Sequence, residues 1–210
     1  MSAGVSIERD GAAAARRELE HAAGAGGVVV FPADGLYGLA CDPLRADAIA
    51  RLHDLKGREE RKPSAVLFFS PLIMRELLGS LGDRTRSVLA ALLPGPVTVV
   101  VHNPEHRYPL ACREDPERLG LRLIEGPLSG AATPLFQTSA NLSGAPAPSR
   151  LADVPESLRA GADLVIDGGE LTGSPSTVVD VSGLERGGDW RVLRSGGMPD
   201  AEVAERLAGI

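Results

Sequence analysis

Apolar residues recur along the chain in two rhythms, short unbroken runs and a three-to-four spacing, and each predicts a different element. The run VVVF (28–31), bounded by Gly and Pro, predicts a buried central strand. AVLFF (65–69) predicts a second, and shorter strands are expected at 97–101, 119–124, 135–139, 163–167, 176–181 and 190–194. Helical spacing covers 11–23, where Ala12, Ala15, Leu19 and Ala22 share a face. It returns at 46–56, with Ala48, Leu52 and Leu55 on one side, Asp47 in the first turn and Gly57 as a C-terminal stop. Further helices are expected at 71–78, at 85–93 before Pro94-Gly95-Pro96, and after Pro199-Asp200, burying Val203 and Leu207. Strands and helices alternate early and short strands dominate later. That order predicts an α/β domain with a twisted mixed β-sheet flanked by helices, rather than a pure Rossmann fold.

Composition narrows the picture without redirecting it. A chain of 210 residues fits a single domain, expected to span 1–210. With 22 Lys and Arg against 28 Asp and Glu, the net charge of −6 argues against a general nucleic-acid or membrane binder. No stretch of 18 apolar residues and no signal-peptide pattern occurs, so a cytoplasmic protein with no membrane partner is expected. Cys41 and Cys112 lack metal-ligand spacing and read as reduced thiols.

Four segments put polar groups where buried strands end. PADGLYGLACD (32–42) reads as a Gly-containing loop after the first strand, a place where open α/β sheets bind ligands. KGREERKPS (56–64) sets Lys56, Arg58, Arg61 and Lys62 within seven residues. A solvated surface run is the commoner meaning of such a cluster; a clamp for a triphosphate is the functional one. FQTSANLSGAPAPS (136–149) carries Thr138, Ser139, Asn141 and Ser143 into a Gly144 turn, a donor-rich nest suited to phosphate oxygens or a self-bonded polar turn. GSPSTVVDV and RVLRSGG bring Ser176, Thr177 and Arg194, while Arg122 sits inside the apolar LGLRLI. A buried arginine needs either a carboxylate or a ligand anion. His102 and His106 flank Asn103-Pro104 and read as loop residues rather than metal ligands, and His53 as packing or surface. There is no G-x-G-x-x-G, P-loop or G-x-S-x-G motif.

Taken in order, seven stretches resemble the YrdC-like family of L-threonylcarbamoyladenylate synthases. They are P-A-D-G-L-Y-G-L-A-C-D (32–42), K-G-R with K-P (56–58, 62–63), L-P-G-P-V-T (93–98), G-L-R (120–122), T-S-A-N-L-S-G (138–144), P-S-T-V-V-D (175–180) and L-R-S-G (193–196). The resemblance implies the YrdC-like fold with a concave ligand cleft. It also implies a reaction joining L-threonine, bicarbonate and ATP (with Mg²⁺) into threonylcarbamoyl-AMP and pyrophosphate, for modification of tRNA. By resemblance Lys56, Arg58, Ser139 and Asn141 are the catalytic set. Lys62, Ser143 and Arg194 join them around ATP, and Gly35, Tyr37, Arg122 and Ser176 lie near the amino acid. No Cys/His cluster has ligand spacing, so no structural metal is expected, and the partners the resemblance implies include tRNA or tRNA-modification proteins.

Departures from the family pattern fall on the amino-acid side. Ala33 and Gly35 replace two threonines, Leu123-Ile124 replaces Val-Pro after Arg122, and Ser195 replaces a proline. Gly35 is expected to leave extra room and a more flexible loop. The stretch from Arg122 to Thr138 is shorter than usual, and the long form's C-terminal domain is not found. Two alternatives to the synthase follow: a paralogue with altered or lost amino-acid specificity, and a non-catalytic RNA-binding module.

Overall fold

The computed structural model describes residues 3–57 and 63–210. In chain order its elements are β1 (Ala3–Ser6), α1 (Ile7–Asp10), α2 (Ala12–Gly24), β2 (Val29–Ala33), β3 (Leu36–Cys41), α3 (Ala46–Lys56) and β4 (Ala65–Phe68). There follow α4 (Pro71–Leu78), α5 (Asp83–Leu92), β5 (Val97–His102), α6 (Pro109–Cys112), β6 (Arg118–Leu123) and β7 (Leu135–Ser139). The chain ends with α7 (Glu156–Gly161), β8 (Leu164–Asp167), β9 (Thr177–Asp180), β10 (Arg191–Arg194) and α8 (Asp200–Arg206).

Among the described residues ten strands form one mixed sheet, ordered β1-β8-β2-β3-β7-β4-β6-β5-β9-β10. The β1/β8, β2/β8, β4/β6 and β5/β9 pairs are parallel, and the other five are antiparallel. Helix α3 ends as its sequence requires. Gly57 adopts the left-handed conformation (φ 60°) and its N–H bonds back to Asp54 and His53 carbonyls.

One expectation fails. Residues 36–41 are not a loop but β3, a buried strand paired with β2 on one side and β7 on the other. Asp34-Gly35 is the two-residue turn between β2 and β3, with Asp34 at φ 72°. LYGLAC contains no β-branched residue, so its strand propensity is weak. Tertiary burial on both faces decides its conformation.

Two cores flank the sheet. Ala15, Leu19 and Ala23 of α2 pack on Val29, Phe31, Leu164 and Ile166. The larger core joins Ile49 and Leu52 of α3 with residues of α4, α5 and α8, including Leu77, Val88, Leu92 and Val203. His53 is buried in it, edge-on to Phe136 with ring centroids 5.7 Å apart. Side chains alternate across a strand. In β6, Leu119, Leu121 and Leu123 enter the larger core, while Arg118, Gly120 and Arg122 face a cavity on the opposite side. Thr98 and Val100 of β5 and Val178 of β9 line the same cavity. The half of the sheet from β4 to β9 is therefore covered by helices on one face and holds the cavity on the other.

Candidate active site

The cavity encloses about 520 Å³. Its floor is flat because Gly120 has no side chain; a Cβ there would touch Ala65 and Thr98 at 3.5 Å. Polar groups converge on it from five strands and the 172–176 segment.

Arg122 dominates one end. It is 6% exposed, and its Nη1 donates to Gln137 Oε1 at 2.9 Å. Its Nη2 lies 3.5 Å from the Ala33 carbonyl and 3.7 Å from Asp34 Oδ2, and its Nε has no acceptor. Burial pushes this guanidinium down to about 10; Asp34 opposes the shift and the charge of Arg194 adds to it. The Asp34 carboxyl is itself pushed up by burial, against the pull of Arg122. A carboxylate is thus present, but at a distance that leaves the arginine only partly satisfied.

Arg194 approaches from β10. Its Nη2 donates to the Ser176 carbonyl at 2.7 Å and to Ser176 Oγ at 3.2 Å, and Ser176 Oγ meets Thr98 Oγ1 at 2.8 Å. Burial lowers this guanidinium too. Two depressed arginines and two hydroxyls facing one cavity favour an anion.

At the far end Arg118 is fixed by Asp180, 2.8 Å away. Asp180 also accepts from Arg191 Nη2 at 2.9 Å and from Ser182 Oγ at 2.7 Å. Burial raises the Asp180 carboxyl, but the Ser182 and Arg191 hydrogen bonds and the Arg118 charge outweigh it, so it titrates below the usual range. Cys112 lines this end as well. Burial pushes its thiol up to about 11, which keeps it protonated and poorly nucleophilic.

A third group adjoins the cavity. The Lys56 ammonium, 3% exposed, donates to the Ser139 carbonyl, to Ser139 Oγ at 3.3 Å and to Asn141 Oδ1 at 3.2 Å. Ser139 Oγ also bonds Asn141 Oδ1, and Asn141 Nδ2 donates to the carbonyls of Leu142 (2.8 Å) and Ala145 (2.6 Å). The turn after β7 is thereby tied to the end of α3.

The Sua5/YciO/YrdC family model, described as "Telomere recombination", matches residues 21–196. This chain belongs to that family. Rat threonylcarbamoyl-AMP synthase is 34% identical over 213 residues, covering 91% of this chain and 70% of the rat protein. The Pyrococcus abyssi synthase is 30% identical over 195 residues, covering 88% of this chain but 54% of its own. The chain spans about half the length of that relative. The solved structure of P. abyssi Sua5 complexed with L-threonine shares the fold at TM-score 0.82 and 25% identity, over all of this chain and 62% of that one.

This Sua5/YciO/YrdC chain brings together most of the residues singled out by its sequence. Ser139, Arg122, Ser176, Arg194 and Tyr37 line the cavity, as does Thr138. Lys56 and Asn141 stand behind Ser139 and do not line it. Ser143 is exposed outside the cavity and meets Lys56 only through its backbone N–H, 3.3 Å from the Lys56 carbonyl. Arg58, Arg61 and Lys62 lie outside the described residues. Tyr37 turns its hydroxyl away to Gly169 O (2.8 Å) and Gly168 N (3.0 Å), and burial pushes it up to about 12.

Gly35 corrects the sequence reading outright. It does not line the cavity and leaves no extra room, because a Cβ there would collide with the Ser174 carbonyl oxygen and stand 2.8 Å from Thr172 Oγ1. His102 closes β5 rather than occupying a loop, and both histidines hold Glu117, at 3.2 Å from His102 and 2.5 Å from His106. Among the described residues no three His, Cys, Asp or Glu side chains are grouped to hold a metal ion, and no helix is long and apolar enough to cross a membrane.

Asp34 and Gln137 were missed by the sequence reading, although both meet Arg122. The one local signal was the Asp-Gly pair between two apolar runs, a hairpin mark that would have set Asp34 beside the end of β2.

Proposed function

We propose that this chain is a cytoplasmic nucleotidyltransferase that forms threonylcarbamoyl-AMP and pyrophosphate from L-threonine, bicarbonate and ATP. The observation that carries this reading is the pair of guanidiniums, buried Arg122 and exposed Arg194, that face one cavity, with the Ser176 and Thr98 hydroxyls beside Arg194. The names of its curated relatives and the threonine-bound structure of one of them support the substrates.

The chemistry has two bond-forming steps. The threonine amino nitrogen attacks the bicarbonate carbon, expelling water and giving a carbamate. A carbamate oxygen then attacks the α-phosphorus of ATP, and pyrophosphate leaves. Neither step needs a protein nucleophile; both need two anions held together against their repulsion, which alignment and fixed positive charge supply. Arg122 holds the amino-acid carboxylate, with Ser176 beside it. Arg194, Lys56, Ser139 and Asn141 serve the nucleotide, with Arg58 and Lys62 on its phosphates and Mg²⁺ arriving with ATP. The product serves adenosine modification in tRNA.

Pyrophosphate release should require ATP, bicarbonate and threonine together. Release that is unaffected by omitting threonine and bicarbonate would refute the assignment. A second reading keeps the nucleotide chemistry with a different small amino acid. It is favoured by Ala33, which lines the cavity and offers no hydroxyl, and a panel of amino acids in the same assay decides it.

A further inference from the structure

The segment from Gly168 to Ser176 is sewn to the protein along its length. The Tyr37 hydroxyl accepts from Gly168 N and donates to Gly169 O. Leu171 N donates to Ser149 O at 2.9 Å, and Gly173 N to Gly35 O at 2.9 Å. Gly197 N closes the far end on Pro175 O at 2.7 Å.

Two glycines clamp the segment's main chain. The missing side chain of Gly35 is replaced by the Ser174 carbonyl. A Cβ on Gly196 would collide with Pro175 O and stand 2.6 Å from the Ser176 carbonyl carbon. Between these contacts Ser174, Pro175 and Ser176 line the cavity, on which Arg122 also opens. Main-chain atoms pressed against main-chain atoms on both sides cannot recede to admit a larger ligand.

We propose that residues 174–176 form a fixed wall that limits the side chain of the amino acid anchored at Arg122, with Ser174 as the specificity-determining residue. The inference rests on the reading above that Arg122 takes the amino-acid carboxylate.

The test uses the full chain, with KM for the amino acid and for ATP measured separately in wild type, Ser174→Leu and Gly35→Ala. Ser174 is exposed, so lengthening its side chain leaves the cores untouched. Gly35→Ala pushes the wall itself. Wild type should take threonine or serine and reject leucine by at least about tenfold, a ratio typical of a few methylenes against a fixed wall. Ser174→Leu should raise the threonine KM at least about tenfold with the ATP KM within twofold. Gly35→Ala should do the same where it folds.

A threonine KM unchanged in Ser174→Leu, equal rises for both substrates, or leucine accepted as well as threonine by wild type would overturn the wall. If no amino acid supports turnover, the function proposed above falls, and calorimetric binding of threonine and leucine to wild type and Ser174→Leu decides the wall by the same ratios. Wild type that binds no amino acid overturns both.

Discussion

Replacing Arg122 by methionine removes the cation from the cavity while keeping most of its volume. The arginine is buried with a hydrogen bond to Gln137 at 2.9 Å, a long one to the Ala33 carbonyl at 3.5 Å, a carboxylate at 3.7 Å and an unpaired Nε. Removing one partner of a buried pair is costly when the other is left charged and dry, but the Asp34 carboxylate is 32% exposed and 3.7 Å away, so it can take water or a proton and Arg122→Met should fold with reduced stability. Binding is another matter. A hydrogen bond to a charged group contributes about 1.5–3 kcal/mol, and 1.4 kcal/mol is a factor of ten, so the threonine KM should rise roughly 10- to 150-fold. The ATP KM should change little, because Lys56, Ser139 and Asn141 stand on a different element pair. Asp34 provides an internal check. With Arg122 gone, its half-buried carboxyl loses the charge that lowers it and should titrate still higher. The assay is pyrophosphate release with threonine and ATP varied in turn, alongside a melting curve. A threonine KM within threefold of wild type in a folded Arg122→Met protein would refute the role given to this residue.

Two further outcomes are expected. Lys56→Met removes three donor contacts from the Ser139–Asn141 turn, and nucleotide titration should show ATP binding weakened at least about tenfold, with stability lower by about 2 kcal/mol. Asp180 has a folded pKa below its unfolded value, so its stabilisation is complete above about pH 4 and is lost as pH falls through the folded pKa. Urea unfolding of Asp180→Asn should therefore show a loss of about 2 kcal/mol at pH 7, discounted for the exposure of Arg118 and Arg191, that shrinks toward pH 3. A constant difference across that range would contradict the linkage.

Much of the frame was legible because it is written locally. The 46–56 spacing and Gly57 gave α3 to its last residue, and the apolar runs at 97–101 and 135–139 gave β5 and β7. Strand β3 was lost because LYGLAC has one strand-favouring residue, Tyr37, beside Gly38 and Ala40, and because half of its pairing comes from β7, distant in sequence. The short α1, α6 and α7 carry too few turns for a periodicity to appear. Within the site, Arg122 and Ser176 could be picked out as polar residues on apolar strands. What they meet could not, since Gln137 and Thr98 arrive from other strands and Asp34 from the β2–β3 turn. Ser143, picked out by local donor density, stands exposed outside the cavity, which no local pattern could have told.

The contact between Gly35 and Ser174 joins two main chains, and such a contact cannot be retuned from one end. A threonine grafted at position 35 from a relative would meet a carbonyl rather than a vacancy. The hairpin tip and the 172–174 segment are therefore one inheritable unit: each restricts what the other can become, and a chimera must carry both or neither. Moving this part of the fold between members of the family therefore takes both segments together, where substitution at the aligned position alone would register as damage.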